Sequence, residues 1–175
     1  LREYAKVFAW GMTKARTMET LRNYYSLLGF VQESEDVTRL HYLEQFGLSE
    51  ADLQALPLRP ENRAYVDYMI DTARNSEGAA ECMMACLPCM LSYGWIFQKL
   101  LEEKPSVQDT LYGALVVDYA DKGYEAACRD WAAFAEKVCE GLSDERLARC
   151  REIFHACSEH ELNFWAMAAF PRSDL

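Results

Sequence analysis

The sequence predicts an all-α protein, and three observations support this prediction. Apolar residues recur at spacings of three, four and seven along most of the chain, which is the period of an amphipathic helix. Alternation of apolar and polar residues, the pattern of a half-buried strand, is nearly absent. Only 8 glycines and 5 prolines occur in 175 residues, so few positions interrupt a helix. We expect one domain, residues 1–175, folded as an up-and-down helical bundle.

The apolar pattern and its interruptions predict eight helices. Their approximate limits are 1–28, 35–46, 50–56, 61–75, 78–103, 107–120, 121–140 and 144–169.

Residues that favour helix ends support these limits. Gly29 and Gly47 follow the first two helices and suit the position after a helix C-terminus. Ser49 and Ser106 each stand three residues before an aspartate, which is a pattern typical of an N-terminal cap. Gly141 separates the last two long helices.

Charge and cysteine content exclude several classes of function. The formal net charge is -10, and Lys and Arg are never clustered, so a nucleic-acid partner is not expected. No uninterrupted apolar run approaches the roughly 18 to 20 residues of a membrane-spanning helix, so no membrane partner is expected either. Seven cysteines, three of them within one helix, do not form a disulfide pattern. We therefore expect reduced thiols and a cytoplasmic protein.

The helix predicted at 78–103 carries the most unusual motif. At about 100° per residue, Cys82, Cys86, Cys89 and Tyr93 share one face. Pro88 lacks a backbone N–H and crowds the preceding turn, which costs about 3 kcal/mol in a helix interior. Such a cost suggests a functional site, with a candidate nucleophile beside the interrupted hydrogen-bond ladder.

Glu161 is a carboxylate within an apolar helix face. Its neighbours at i-4, i+3 and i+4 are Cys157, Phe164 and Trp165. Burial there would raise its pKa towards neutrality, as a general acid/base requires. Alternatively, Glu161 lies at the edge of the apolar face and points to water, since acidic residues are rarely buried without a partner.

Tyrosines provide a third candidate group. Tyr65 and Tyr68 lie one turn apart, and Tyr112 and Tyr119 lie two turns apart on one predicted face. Their rings could enclose a flat heteroaromatic ligand, although they could equally fill the core.

Metal and cofactor sites are not predicted. The spacing Cys82-x3-Cys86-x2-Cys89 also occurs in radical S-adenosylmethionine enzymes, but there the cysteines lie in a loop after a strand rather than within a helix. No second Cys-x-x-Cys or His-x3-His motif completes a zinc site. His41 is only loosely placed to be an axial haem ligand.

Three motifs together resemble the TenA, or thiaminase II, family of thiamin salvage. They are Leu87-Pro88-Cys89-x3-Tyr93, Tyr112-x6-Tyr119-x4-Tyr124 and Glu161-x-x-Phe164-Trp165-x-Met167-Ala168. The resemblance extends over nearly the whole chain and implies a haem-oxygenase-like helical bundle.

The resemblance assigns roles by position. It implies that Cys89 is the nucleophile and that Glu161 is the acid/base carboxylate. It places Tyr93 and Tyr119 near the reacting centre. It also implies that Phe164 walls the pyrimidine site.

The resemblance is less definite at three positions. Tyr65 matches a further pocket tyrosine, but the spacing to Cys89 is one residue longer, so Tyr68 stays an alternative. Leu1 falls inside the family's second helix, so the preceding aspartate and aromatic that bind the pyrimidine are expected to be absent from this chain. Trp95 replaces a frequent glutamate, which is expected to affect substrate range.

The function implied by the resemblance is hydrolysis of 4-amino-5-aminomethyl-2-methylpyrimidine, and of thiamin, to the 5-hydroxymethyl pyrimidine. The sequence does not decide which substrate is preferred. The alternative is a non-catalytic pyrimidine-binding or regulatory protein, and a haem- or quinone-linked oxidoreductase is a third hypothesis. The family resemblance further implies a homotetramer.

Overall fold

The computed structural model describes residues 2–33 and 35–170, without the side chains at 30–33, 35, 36 and 50. Within these residues every regular element is a helix, which confirms the predicted all-α class. The helices are α1 (Arg2–Lys14), α2 (Met18–Glu33), α3 (Glu35–Phe46), α4 (Glu50–Ala55), α5 (Pro60–Asn75), α6 (Ala79–Glu103), α7 (Gly113–Ala120), α8 (Lys122–Cys139) and α9 (Asp144–Ala169). A 3-10 helix, Pro105–Asp109, joins α6 to α7.

The prediction of one helix over 1–28 is wrong, because this segment divides into α1 and α2. Leu1 lies outside the described residues. Thr17 explains the division. Its side-chain oxygen accepts a hydrogen bond from the backbone N–H of Thr20 at 3.1 Å, as an N-cap does. Gly29 does not end a helix either, since α2 continues past it to Glu33. The apolar periodicity of α1 and α2 concealed this short break.

The cap predicted at Ser106 is also wrong. Ser106 belongs to the 3-10 helix, and α7 begins only at Gly113. A Cβ at Gly113 would approach the Gln108 carbonyl oxygen to 1.8 Å, so this turn requires a glycine. Because Tyr112 precedes α7, it does not share a helix face with Tyr119. Tyr112 is 53% exposed, whereas Tyr119 is buried.

The other predicted helix ends are confirmed. Gly47 and Gly141 have positive φ angles of 66° and 72° after α3 and α8. Ser49 and Asp52 form a capping box at the start of α4. Ser143 caps α9 by accepting from the backbone N–H of Arg146 at 3.3 Å.

Helix α6 is the central element of the core. It contacts α1, α5, α7, α8 and α9. By length and composition it could cross a membrane, but 67% of its most apolar stretch is buried inside the protein. The apolar composition of α6 is therefore that of a core helix.

A buried ion pair joins α6 to α9. Glu81, which is 3% exposed, accepts hydrogen bonds of 2.7 and 2.8 Å from Nη2 of Arg146. Nε of Arg146 donates a third, of 3.0 Å, to the same carboxylate. The Arg146 side chain is 19% exposed, so the pair is largely shielded from water. Sequence reasoning missed it because the two residues are far apart in the chain.

We expect Arg146→Ala to lower the free energy of unfolding by about 2 to 4 kcal/mol, since the Glu81 carboxylate would stay buried without its cation. Urea unfolding measures this change. Arg149→Ala on the same helix is the matched control. Its ion pair with Glu152 is exposed, and its loss should change stability by no more than about 0.5 kcal/mol. Equal effects of both substitutions would contradict the role of the buried pair.

Candidate active site

A cavity of about 890 Å³ lies beside α6. This volume falls within the range of roughly 300 to 1,000 Å³ that is usual for small-molecule sites. Helices α1, α5, α6 and α9 contribute most of its chemically active side chains. The lining residues are Arg2, Glu3, Tyr4, Leu28, Arg39, Leu53, Gln54, Leu58, Asn62, Tyr65, Val66, Met69, Cys89, Tyr93, Glu161 and Phe164.

Cys89 is the cysteine that α6 presents to this cavity. Helix α6 continues through Pro88, so the Met84 carbonyl has no backbone donor at that position. Cys82 and Cys86, on the same face, are fully buried. Burial raises the pKa of Cys82 to about 11 and that of Cys86 well above its ordinary value. These two thiols therefore stay protonated, whereas Cys89 is partly accessible.

Glu161 reaches the same cavity from α9 and is 5% exposed. The alternative, that it points to water, is therefore wrong. Burial raises the pKa of its carboxyl, and the adjacent Tyr65 and Cys89 lower it in part. Its Oε2 atom has no hydrogen-bond partner among the described residues. A buried carboxyl with a raised pKa beside a thiol has the properties of a general acid/base.

Tyr65, rather than Tyr68, contributes to the cavity lining. The Tyr65 ring stacks on His160, with 5.3 Å between ring centroids and an interplanar angle of 7°. Tyr68 also contacts His160, with 5.3 Å between ring centroids and an interplanar angle of 44°. The stack holds the Tyr65 hydroxyl near Glu161.

Tyr93 and Phe164 line the cavity, as expected of ligand-contacting aromatics. Tyr119 lies outside the lining and packs against Tyr93, with 5.1 Å between ring centroids. It also stacks on Phe97 at 5.2 Å. Tyr119 therefore supports Tyr93, and its contact with substrate stays a prediction.

Trp95 does not reach the cavity. It lies on α6 but is 65% exposed. The expected influence of Trp95 on substrate range therefore has no direct contact in the structure.

Sequence reasoning missed Tyr4, Asn62 and Met69 as cavity residues. Tyr4 could have been found from helix periodicity. Phe8 and Gly11 follow it at i+4 and i+7, and both are buried, so the same face of α1 points inward. Asn62 and Met69 precede and follow Tyr65 by about one turn, which places them on its face of α5.

The chemically active groups of the cavity include a thiol, a carboxyl and phenols, and the charged side chains of Arg2, Glu3 and Arg39 also line it. Among the described residues, no group of three or more His, Cys, Asp and Glu side chains is arranged to hold a metal ion. The arrangement combines a nucleophile, a proton donor and aromatic walls for a flat ring.

Comparison with known proteins agrees with this reading of the fold. Residues 1–169 match the TENA/THI-4/PQQC family. An aminopyrimidine aminohydrolase of Helicobacter pylori is 29% identical over 170 residues, covering 96% of this chain and 77% of its own length. A Halalkalibacterium halodurans protein of the same name is 28% identical, covering 95% and 74%.

A solved structure shows the same architecture. The crystal structure of a TenA family transcription regulator from a Silicibacter species superposes with a TM-score of 0.85 at 24% identity, covering 97% of this chain and 76% of that one. This similarity confirms the fold that the motifs around Cys89 and Glu161 implied. The chain belongs to the TENA/THI-4/PQQC family.

Proposed function

We propose that this protein is a hydrolase of thiamin salvage that converts 4-amino-5-aminomethyl-2-methylpyrimidine, and thiamin, to the 5-hydroxymethyl pyrimidine. One observation carries the proposal: the Cys89 thiol and the buried Glu161 carboxyl, from two different helices, line one cavity. Family membership and the names of the two bacterial relatives support the same reaction. The aromatic walls formed by Tyr93 and Phe164 suit a flat pyrimidine.

Covalent catalysis by Cys89 would divide the reaction into two steps. The thiolate adds to the ring carbon next to the one bearing the aminomethyl group, while a proton is delivered to a ring nitrogen. Once the ring is no longer aromatic, an electron pair from the ring forms a double bond to the exocyclic carbon. The bond from that carbon to the amine breaks, and the amine leaves. Water then adds to that carbon, and departure of the thiolate together with loss of the proton from the ring nitrogen restores the neutral aromatic ring.

Glu161 would supply and remove the protons for these steps. In its protonated form it donates to the ring or to the departing amine, which leaves as ammonia. As a carboxylate it then accepts a proton from the attacking water. Burial raises its pKa above that of an exposed glutamate, which makes the carboxyl easier to protonate near neutral pH.

A chromatographic assay tests the proposal. Purified protein, in its full natural length, is incubated with the aminopyrimidine or with thiamin, and hydroxymethyl pyrimidine is quantified. Product formation from at least one compound is expected. Its absence with both compounds would contradict the proposal.

A regulatory, non-catalytic role is the second candidate, because the superposing Silicibacter protein is described as a transcription regulator. Calorimetry would then detect hydroxymethyl pyrimidine binding without consumption of substrate. The net charge of -10 makes direct contact with nucleic acid unfavourable.

We further propose that the protein forms a homotetramer. Trp95 on α6 and Leu162 on α9 are large apolar side chains that are mostly exposed, and α6 packs against α9. Light scattering should give about four times the 20.1 kDa mass of the chain. Leu162→Glu should shift the protein towards smaller species. A monomer mass for the unmodified protein would contradict the assembly.

A further inference from the structure

The cavity contains three buried polar atoms without hydrogen-bond partners among the described residues. They are the hydroxyls of Tyr4 and Tyr65 and Oε2 of Glu161, contributed by α1, α5 and α9. The Tyr65 hydroxyl lies beside the Glu161 carboxyl and lowers its pKa, whereas no side chain of the described residues hydrogen-bonds to the Tyr4 hydroxyl. All three residues line the same cavity. A buried polar group without a partner costs about 1 to 3 kcal/mol. A ligand with matching polar atoms would offset that cost.

Packing does not explain the hydroxyl of Tyr4. The Tyr4 ring contacts Phe8, with ring centroids 6.1 Å apart and an interplanar angle of 64°. A phenylalanine would make the same ring contact without burying an unpaired oxygen. Tyr24 differs, because its buried hydroxyl donates a hydrogen bond to the Ala79 carbonyl.

The Tyr4 hydroxyl is suited to donate. Burial, and secondarily the neighbouring Cys89, Tyr65 and Glu161, raises the pKa of Tyr4 well above its usual value. The hydroxyl therefore keeps its proton throughout the physiological range. Tyr4 lines the same cavity as the groups proposed to carry the reaction. Its natural partner is an acceptor atom on a ligand bound beside Cys89.

We propose that Tyr4 is a substrate-binding residue whose hydroxyl donates a hydrogen bond to a ring nitrogen of the bound pyrimidine. This inference rests on the proposed function, since the ring nitrogens of that substrate are the acceptors. Tyr65 provides a second phenolic hydroxyl in the cavity, beside the Glu161 carboxyl. Helix α1 thereby contributes a specificity-determining group to the site.

Tyr4→Phe tests this role, and Tyr24→Phe is the matched control. For Tyr4→Phe we expect kcat/KM to fall by roughly 3- to 10-fold, mainly through KM, with an unchanged or higher Tm. For Tyr24→Phe we expect a Tm lower by about 2 to 4 °C, because the Ala79 carbonyl loses its donor, and an unchanged kcat/KM.

The possible outcomes separate this inference from the proposed function. An unchanged kcat/KM for Tyr4→Phe, or a fall accompanied by a lower Tm, would overturn the role of Tyr4 while leaving the hydrolase proposal intact. If the unmodified protein has no turnover, the proposed function fails. Calorimetry with hydroxymethyl pyrimidine then tests whether Tyr4 contributes to ligand binding. Weaker binding by Tyr4→Phe than by Tyr24→Phe would support the inference; equal binding, or none to the unmodified protein, would overturn it.

Discussion

Cys89→Ser is expected to reduce kcat for hydroxymethyl pyrimidine release by about three orders of magnitude or more, in line with removal of a covalent nucleophile in other enzymes. The serine hydroxyl is far less acidic than a thiol, so it would be a weak nucleophile near neutral pH. No other cysteine on this face could substitute. Cys82 and Cys86 are buried with raised pKa values, and neither lines the cavity.

The fold should tolerate this substitution, because Ser and Cys differ little in size and Cys89 is only partly buried. Cys128→Ser is the matched control. Cys128 is also partly buried, and its thiol donates to the Met90 carbonyl at 3.4 Å, outside the cavity lining. It should retain the activity of the unmodified protein. Undiminished product release by Cys89→Ser would eliminate covalent catalysis at this position, and an equal loss in both variants would indicate a folding effect.

The candidate site was predictable wherever one helix determined the direction of a side chain. The 3.6-residue period placed Cys89 on the face of Cys82 and Cys86, and it placed Glu161 one turn from buried Cys157. Since both helices are long and regular, these directions held in the structure. The resemblance then suggested which inward residues belong together, which no single helix reveals.

The sequence was less informative where several helices determine the outcome. Nothing in the periodicity of α1 and α2 marks the break at Thr17, because apolar residues continue on both sides of it. The Tyr112 and Tyr119 pairing failed because the 3-10 segment and the Gly113 turn delay the start of α7. Periodicity places Tyr4 on the buried face of α1, but only the packing of α1 beside α5 and α6 shows that this face reaches the cavity.

Glu161→Gln is expected to lower kcat by about 10²-fold or more, because glutamine has nearly the same shape but cannot transfer the proton. The chromatographic assay used for Cys89 measures this loss. Glu159→Gln is the matched control, with the same chemical change on the same helix. Its side chain is 67% exposed and lies 3.7 Å from the exposed His155, so the activity of the variant should be unchanged. A near-normal rate for Glu161→Gln would contradict its role as the acid/base.

Stability measurements distinguish a catalytic role of Glu161 from a structural one. Because burial raises its pKa above the ordinary value of 4.5, the folded protein holds this proton to a higher pH than the unfolded chain. The carboxyl's contribution to stability therefore declines as pH rises from about 4.5 through the raised pKa.

Glutamine cannot ionise, so Glu161→Gln should become more stable relative to the unmodified protein across that window. Urea unfolding at a series of pH values measures the difference. If Glu161→Gln is less active yet more stable at neutral pH, Glu161 has a catalytic role. If the variant is less stable at every pH, Glu161 has a structural role.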